Sequence, residues 1–115
     1  MNIRLFTISV IIGLSLLSPR AVQALNMEQF MNICHSSKSK CSEHPILRTY
    51  VGGALDLIAV LQEDTKYIKK VYCKEPKKLF NVPVIINFMI KHKKAYNSRN
   101  AMLLVLRYLE EKGGC

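Results

Sequence analysis

The sequence has no tryptophan, no unpaired count of cysteines, no internal repeat, and only eight acidic residues against seventeen Lys and Arg in 115 positions. At that length the chain is one domain at most, which excludes a multi-domain enzyme. It also lacks a long hydrophobic run. The longest, Leu5 to Leu17, is interrupted only by Thr7, Ser9, Gly13 and Ser15, and falls short of the roughly 20 apolar residues that a membrane-spanning helix needs. Arg4 before that run, Ser18-Pro19-Arg20 after it, and small residues at Ala21, Val22 and Ala24 form the pattern of a secretory signal peptide cleaved after Ala24. The predicted organisation is a signal peptide over 1–24 and one domain over 25–115, with no membrane insertion once the signal is removed.

What remains is a short basic chain. A domain of this size buries only about 60–65% of the surface its unfolded form exposes, so it needs staples. Four cysteines in an exported chain supply them. Three connectivities are open; adjacent pairing, Cys34–Cys41 and Cys73–Cys115, is preferred because the first pair flanks a short polar loop and the second ties the chain end to its middle. In the chain-entropy picture these closures contribute roughly 2.5 and 4 kcal/mol. Zinc held by Cys34, Cys41, His35 and His44 is the competing reading. It is disfavoured because zinc ligands usually come as two close pairs, whereas Cys73 and Cys115 stand alone. No metal or cofactor is expected.

Hydrophobic spacing reads as helix throughout. Asn26 precedes Met27, Phe30, Met31 and Cys34 on one helical face, and Gln29 completes a capping box. Ser36 to Glu43 is a polar loop. A second helix opens at Pro45 with the stripe Leu47, Val51, Ala54, Leu55, Ile58 and Leu61. Gly52 and Gly53 cost that helix about 1 kcal/mol each relative to Ala, which predicts close approach of another helix, within the bundle or across a dimer. Thr65 to Phe80 reads as a helical turn and an irregular connection in which Pro76 stops any helix. Asn81 and Pro83 open a third helix carrying Val82, Ile85, Ile86, Met89 and Ile90. Lys91 to Arg99 is a basic turn. A fourth helix, capped by Asn97 or Ser98, carries Ala101, Met102, Leu104, Val105, Tyr108 and Leu109 and ends at Gly113-Gly114. The fold class is all-α: a small disulfide-stapled bundle of about four helices.

Catalytic sets are hard to assemble from these residues. An even cysteine count leaves no thiol for a Cys-His nucleophile pair. Glu63-Asp64 and Glu110-Glu111 are sequence neighbours, which on a helix point to different faces, so solvation near helix ends is their simpler reading. Asp56 reads equally as a solvent-facing residue or a buried hydrogen-bond anchor. Nucleic acid is a poor partner for an exported chain with no Trp and no clustered recognition helix. Charge is nevertheless uneven: residues 66–115 hold twelve basic and three acidic residues, and the preceding segment from 25 is slightly acidic. An acidic partner should meet the basic half. Tyr96, flanked by Lys91, Lys93, Lys94 and Arg99, has the composition of an interface anchor.

Tyr50-Val51-Gly52-Gly53-Ala54-Leu55-Asp56, Cys73-Lys74-Glu75-Pro76, a following helix, a Lys-rich turn, Ala101-x-x-Leu104-Val105 and Cys115 form an ordered set. This set resembles the Rap/Tai family of periplasmic immunity proteins, which protect bacteria from type VI secretion peptidoglycan amidases, and it covers Cys34 to Cys115. The resemblance implies a helical, commonly dimeric, non-enzymatic protein that inhibits its amidase by covering the catalytic cleft. The turn between the third and fourth helices is then a favoured contact: Lys91, His92, Lys93, Lys94, Ala95, Tyr96, Asn97, Ser98 and Arg99. Tyr50, Gly52, Gly53 and Asp56 become scaffold positions for helix packing or a homodimer. A small periplasmic helical chaperone or acid-stress protein is the alternative in a different class.

Overall fold

A computed structural model describes residues 24–115; the expected signal segment lies outside the described residues except for Ala24. Among the described residues the chain forms five α-helices and no strand beyond one isolated bridge, so the protein is all-α. Helix α1, Met27–His35, starts where its capping box predicts: Asn26 Oδ1 accepts from Gln29 N at 2.8 Å and Gln29 Oε1 accepts from Asn26 N at 3.0 Å. It buries Met27, Phe30 and Cys34. Helix α2, Pro45–Ala59, opens with Pro45 in its first turn, and the His44 ring caps it by accepting from Ile46 N through Nδ1 at 3.3 Å. Helix α3, Pro76–Leu79, is a single turn. Helix α4, Val82–Lys91, is capped by Asn81, and α5, Met102–Lys112, completes the set. Helix α2 packs against α1, α4 and α5 around one core that includes Phe30, Leu47, Val51, Ile85, Met89, Leu104 and Leu109, all fully buried.

Both disulfides form in the preferred connectivity, Cys34–Cys41 and Cys73–Cys115, with Cα atoms 4.9 and 5.1 Å apart. All four thiols are therefore consumed, including the two that a zinc site with His35 and His44 would have required. The first staple holds the 3₁₀ turn Cys41–Glu43 against α1, and that turn packs on α4. The second joins the exposed end of the chain to the segment before α3.

Several expectations are corrected. Pro76 opens a helix instead of stopping one, because its missing N–H costs nothing in a first turn. The stripe of α2 ends before Leu61: Val60–Asp64 widens into a π-helical turn, closed by Thr65 N donating to the Val60 carbonyl at 3.0 Å. The fourth long helix begins at Met102, with Asn100 Oδ1 accepting from its N–H at 2.9 Å, so neither Asn97 nor Ser98 is the cap. Those two residues lie in a turn whose carbonyls serve α1, as described below.

Of the two alternatives for Gly52 and Gly53, the one within the bundle is not found. A Cβ at Gly52 or Gly53 would meet no atom within 4 Å, so no neighbour within the bundle requires either. The close approach occurs at Gly113, which is buried; a Cβ there would stand 2.8 Å from both Cα and Cβ of Tyr72 and would also strike the Leu109 carbonyl. The Gly113 carbonyl accepts from Cys73 N and Lys74 N at 2.9 and 2.8 Å, so the returning segment is stitched to the end of α5. Gly114 follows at φ +80°, the left-handed conformation that ends helices.

Candidate functional site

The basic turn is built on the helix that precedes it. His92 ends α4, donating its N–H to the Phe88 carbonyl at 3.1 Å, and its ring lies 4.3 Å from the Phe88 ring. A 3₁₀ turn, Lys93–Tyr96, follows, and Arg99 N donates to the Tyr96 carbonyl at 2.9 Å. The first free N–H groups of α1 then close on the turn from outside. Met27 N donates to the Arg99 carbonyl at 3.1 Å and Glu28 N to the Asn97 carbonyl at 3.0 Å, while Ala101 N donates to the Leu25 carbonyl at 2.9 Å. Asn26 and Asn100 form an antiparallel bridge between them. Helix starts leave donors that must find partners. Here the turn provides the acceptors, so its backbone is fixed by a separate element.

Its side chains divide by exposure. Lys91, Lys94, Ala95, Asn97, Ser98 and Arg99 are exposed, whereas His92, Lys93 and Tyr96 are half-buried. Tyr96 leans on the core, with the Arg99 guanidinium 4.9 Å and the Arg107 guanidinium 6.0 Å from its ring centroid. Arg107 Nε in turn donates to Glu111 Oε1 at 2.7 Å. That hydrogen bond raises the Arg107 pKa and holds the Glu111 carboxyl below the usual range. Tyr96 is thus a half-buried, cation-flanked ring packed on the core, and Lys94-Ala95 before it and Asn97 to Arg99 after it are exposed.

The scaffold positions lie together on α2 without touching another element of this chain at the glycines. Gly53 and Asp56 are exposed, which settles Asp56 as a solvent-facing residue. Tyr50 is half-buried, its ring 6.2 Å edge-on to Phe30, and burial pushes its hydroxyl pKa up. Ile46, Leu57 and Val60 are 59, 53 and 45% exposed, a high share for large apolar side chains on one helix. With Thr49, Tyr50, Gly53 and Asp56 they recur every three or four residues and so share one face.

Sequence reasoning missed a polar clamp at the end of α2. Gln62 Oε1 accepts from Val71 N at 2.6 Å and from Tyr72 N at 3.2 Å, and its Nε2 donates to the Tyr72 carbonyl at 2.9 Å. Tyr72 is buried against Phe80, and its hydroxyl donates to Glu63 Oε1 at 2.6 Å. Burial first, then that bond and the Glu63 and Asp64 charges, push the Tyr72 pKa up to about 12. The apolar residues Tyr67, Ile68, Val71 and Tyr72 are interleaved with lysines, and nothing in that pattern marks Tyr72 as the buried one. Beside the clamp is an open cleft of about 650 Å³ rimmed by Lys66, Lys70, Lys74 and Glu75, with Lys66 at φ +57°. Among the described residues no group of three or more His, Cys, Asp or Glu side chains is arranged to hold a metal ion, and no helix is long and apolar enough to cross a membrane.

Comparison with family models, with curated proteins and with solved structures gave no match.

Proposed function

We propose that this chain is a periplasmic, non-catalytic immunity protein that binds a type VI secretion peptidoglycan amidase and occludes its active-site cleft, as the Rap/Tai-like motifs imply. The observation that carries the reading is the pinned turn. A largely exposed segment with four cations and no acid, whose backbone is held by the start of α1, loses little conformational freedom on entering a partner. Its charge would speed encounter with an acidic or polar cleft. The disulfides suit an oxidising compartment.

The outer face of α2 supports a homodimer. Two copies of the helix crossing antiparallel at Gly53 would place Ile46 opposite Val60, Thr49 opposite Leu57 and Tyr50 opposite Asp56, each pair occurring twice. Self-complementarity of this kind is what a two-fold interface requires. The face carries no Lys or Arg, so two basic molecules would meet there without like-charge contact.

The test is complex formation. The disulfide-bonded protein mixed with a purified type VI amidase should elute as one stoichiometric complex and abolish murein-peptide cleavage. Weak association with many unrelated unfolded clients, and none with amidases, would support the chaperone reading instead.

A further inference from the structure

A second concavity lies at the far end of the α4–α5 pair from the basic turn. Its floor is apolar: Leu79 and Tyr108, which are buried, and Val84, which is 47% exposed. Its rim is Lys74, Lys78 and Lys112, all exposed, and no acidic residue lines it. The volume, about 550 Å³, falls in the range of small-molecule sites, roughly 300–1,000 Å³. The walls are held in place independently of any ligand. Tyr108 is fixed edge-on to Phe88 at 5.3 Å. The Lys74 N–H is bonded to the Gly113 carbonyl, and its methylene stem lies over Gly114, where a Cβ would come within 3.1 Å of it. Two acids stand near the rim: Glu75, 3.9 Å from the Lys78 ammonium with both side chains well exposed, and Glu111 beside Lys112, whose carboxylate is engaged by Arg107. An exposed pair of this kind is worth little and leaves Lys78 available.

We propose that this groove binds a free single-chain amphiphile with an anionic head, of the fatty-acid or alkyl-phosphate class. The lysines meet the head group, and their long stems lie along the apolar chain. A peptide is the poorer fit. Its backbone N–H and C=O groups would need partners, and besides the three ammonium groups the lining side chains offer only the Tyr108 hydroxyl. An alkyl chain asks for none. Charge complementarity selects the sign of the head group: three cations surround an apolar floor. The site is separate from the turn that the inhibitor reading uses, and neither depends on the other.

The test is titration of the disulfide-bonded protein with dodecanoate and with dodecyl phosphate below their micelle concentrations, followed by calorimetry and methyl NMR. Dodecyltrimethylammonium, dodecyl maltoside and phosphatidylglycerol vesicles serve as comparisons. The expected result is saturable one-to-one binding of both anions with shifts at the Leu79 and Val84 methyls, and affinity at least about tenfold lower for the cationic and neutral amphiphiles, a difference of about 1.4 kcal/mol. The double variant Lys78→Glu with Lys112→Glu should lose at least about tenfold, and Val84→Gln, at an exposed position, should do the same with unchanged circular dichroism. Equal affinity for all head groups, shifts confined to the α2 outer face or to the cleft at Lys66 and Lys70, or binding to vesicles alone would each overturn the proposal.

Discussion

At the scale of single residues, Tyr72 and Gly113 carry more of the fold than their surroundings in the sequence suggest. Tyr72 has its hydroxyl pKa raised to about 12 from an ordinary value of 10, so its contribution is complete below pH 10 and is lost as pH rises from 10 through 12. Chemical denaturation of the wild type and of Tyr72→Phe should show a stability difference that is constant below about pH 9 and shifts against the wild type above pH 10; parallel curves across that window would mean the phenol does not matter. At neutral pH the loss of the hydrogen bond to the Glu63 carboxylate should cost about 1.5–3 kcal/mol. Gly113→Ala should destabilise by about 1–3 kcal/mol, because the new methyl meets Tyr72 and the Leu109 carbonyl, neither of which has room to yield. A glycine at a helix end is readable as a stop signal. That it is also a packing position depends on the irregular segment at Tyr72, distant in sequence, which no local pattern announces.

At the scale of elements, what was legible followed from local chemistry and what was not followed from tertiary pairing. The capping box at Asn26, Pro45 at the start of α2, the 3.6-residue stripe of α4 and the short Cys34–Cys41 loop each depend on neighbours in sequence, and each is found; Cys73–Cys115, 42 residues apart, follows once the first pair is set. The π-helical end of α2 arises because Gln62 reaches across to Val71 and Tyr72. The late start of α5 arises because the carbonyls of Asn97 and Arg99 are committed to α1. Position of the basic turn was legible; the support that fixes it was not. Gly53 separates the two scales of packing. Within one molecule Gly53→Leu fills open space and improves helix propensity by up to about 1 kcal/mol, so the thermal midpoint of the monomer should hold or rise. In the proposed antiparallel crossing the same side chain forces the helices apart. Analytical ultracentrifugation should therefore show a dimer constant at least about tenfold weaker for Gly53→Leu, a loss of about 1.4 kcal/mol. An unchanged constant would place any dimer contact elsewhere.

At the scale of the whole molecule, two staples and one small core present two basic zones at opposite ends of the α4–α5 pair. The staples are unequal: removing Cys73–Cys115 by a double Ser substitution should cost about 4 kcal/mol in the chain-entropy picture, and removing Cys34–Cys41 about 2.5 kcal/mol, measured by urea unfolding. After the larger loss the segment that carries Lys74 and Tyr72 would depend on its hydrogen bonds to Gln62, Glu63 and the Gly113 carbonyl. The turn at the other end is bonded to α1 and should keep its shape wherever the domain stays folded. The turn is proposed to block an amidase, and Ala95 is its exposed uncharged residue between Lys94 and Tyr96. The direct measurement is the inhibition constant of wild type and of Ala95→Trp against a purified type VI amidase, with circular dichroism confirming an unchanged fold. The bulky side chain should weaken inhibition at least about tenfold, or about 1.4 kcal/mol. A wild-type inhibition constant for Ala95→Trp would show that the cleft is covered by another part of the protein.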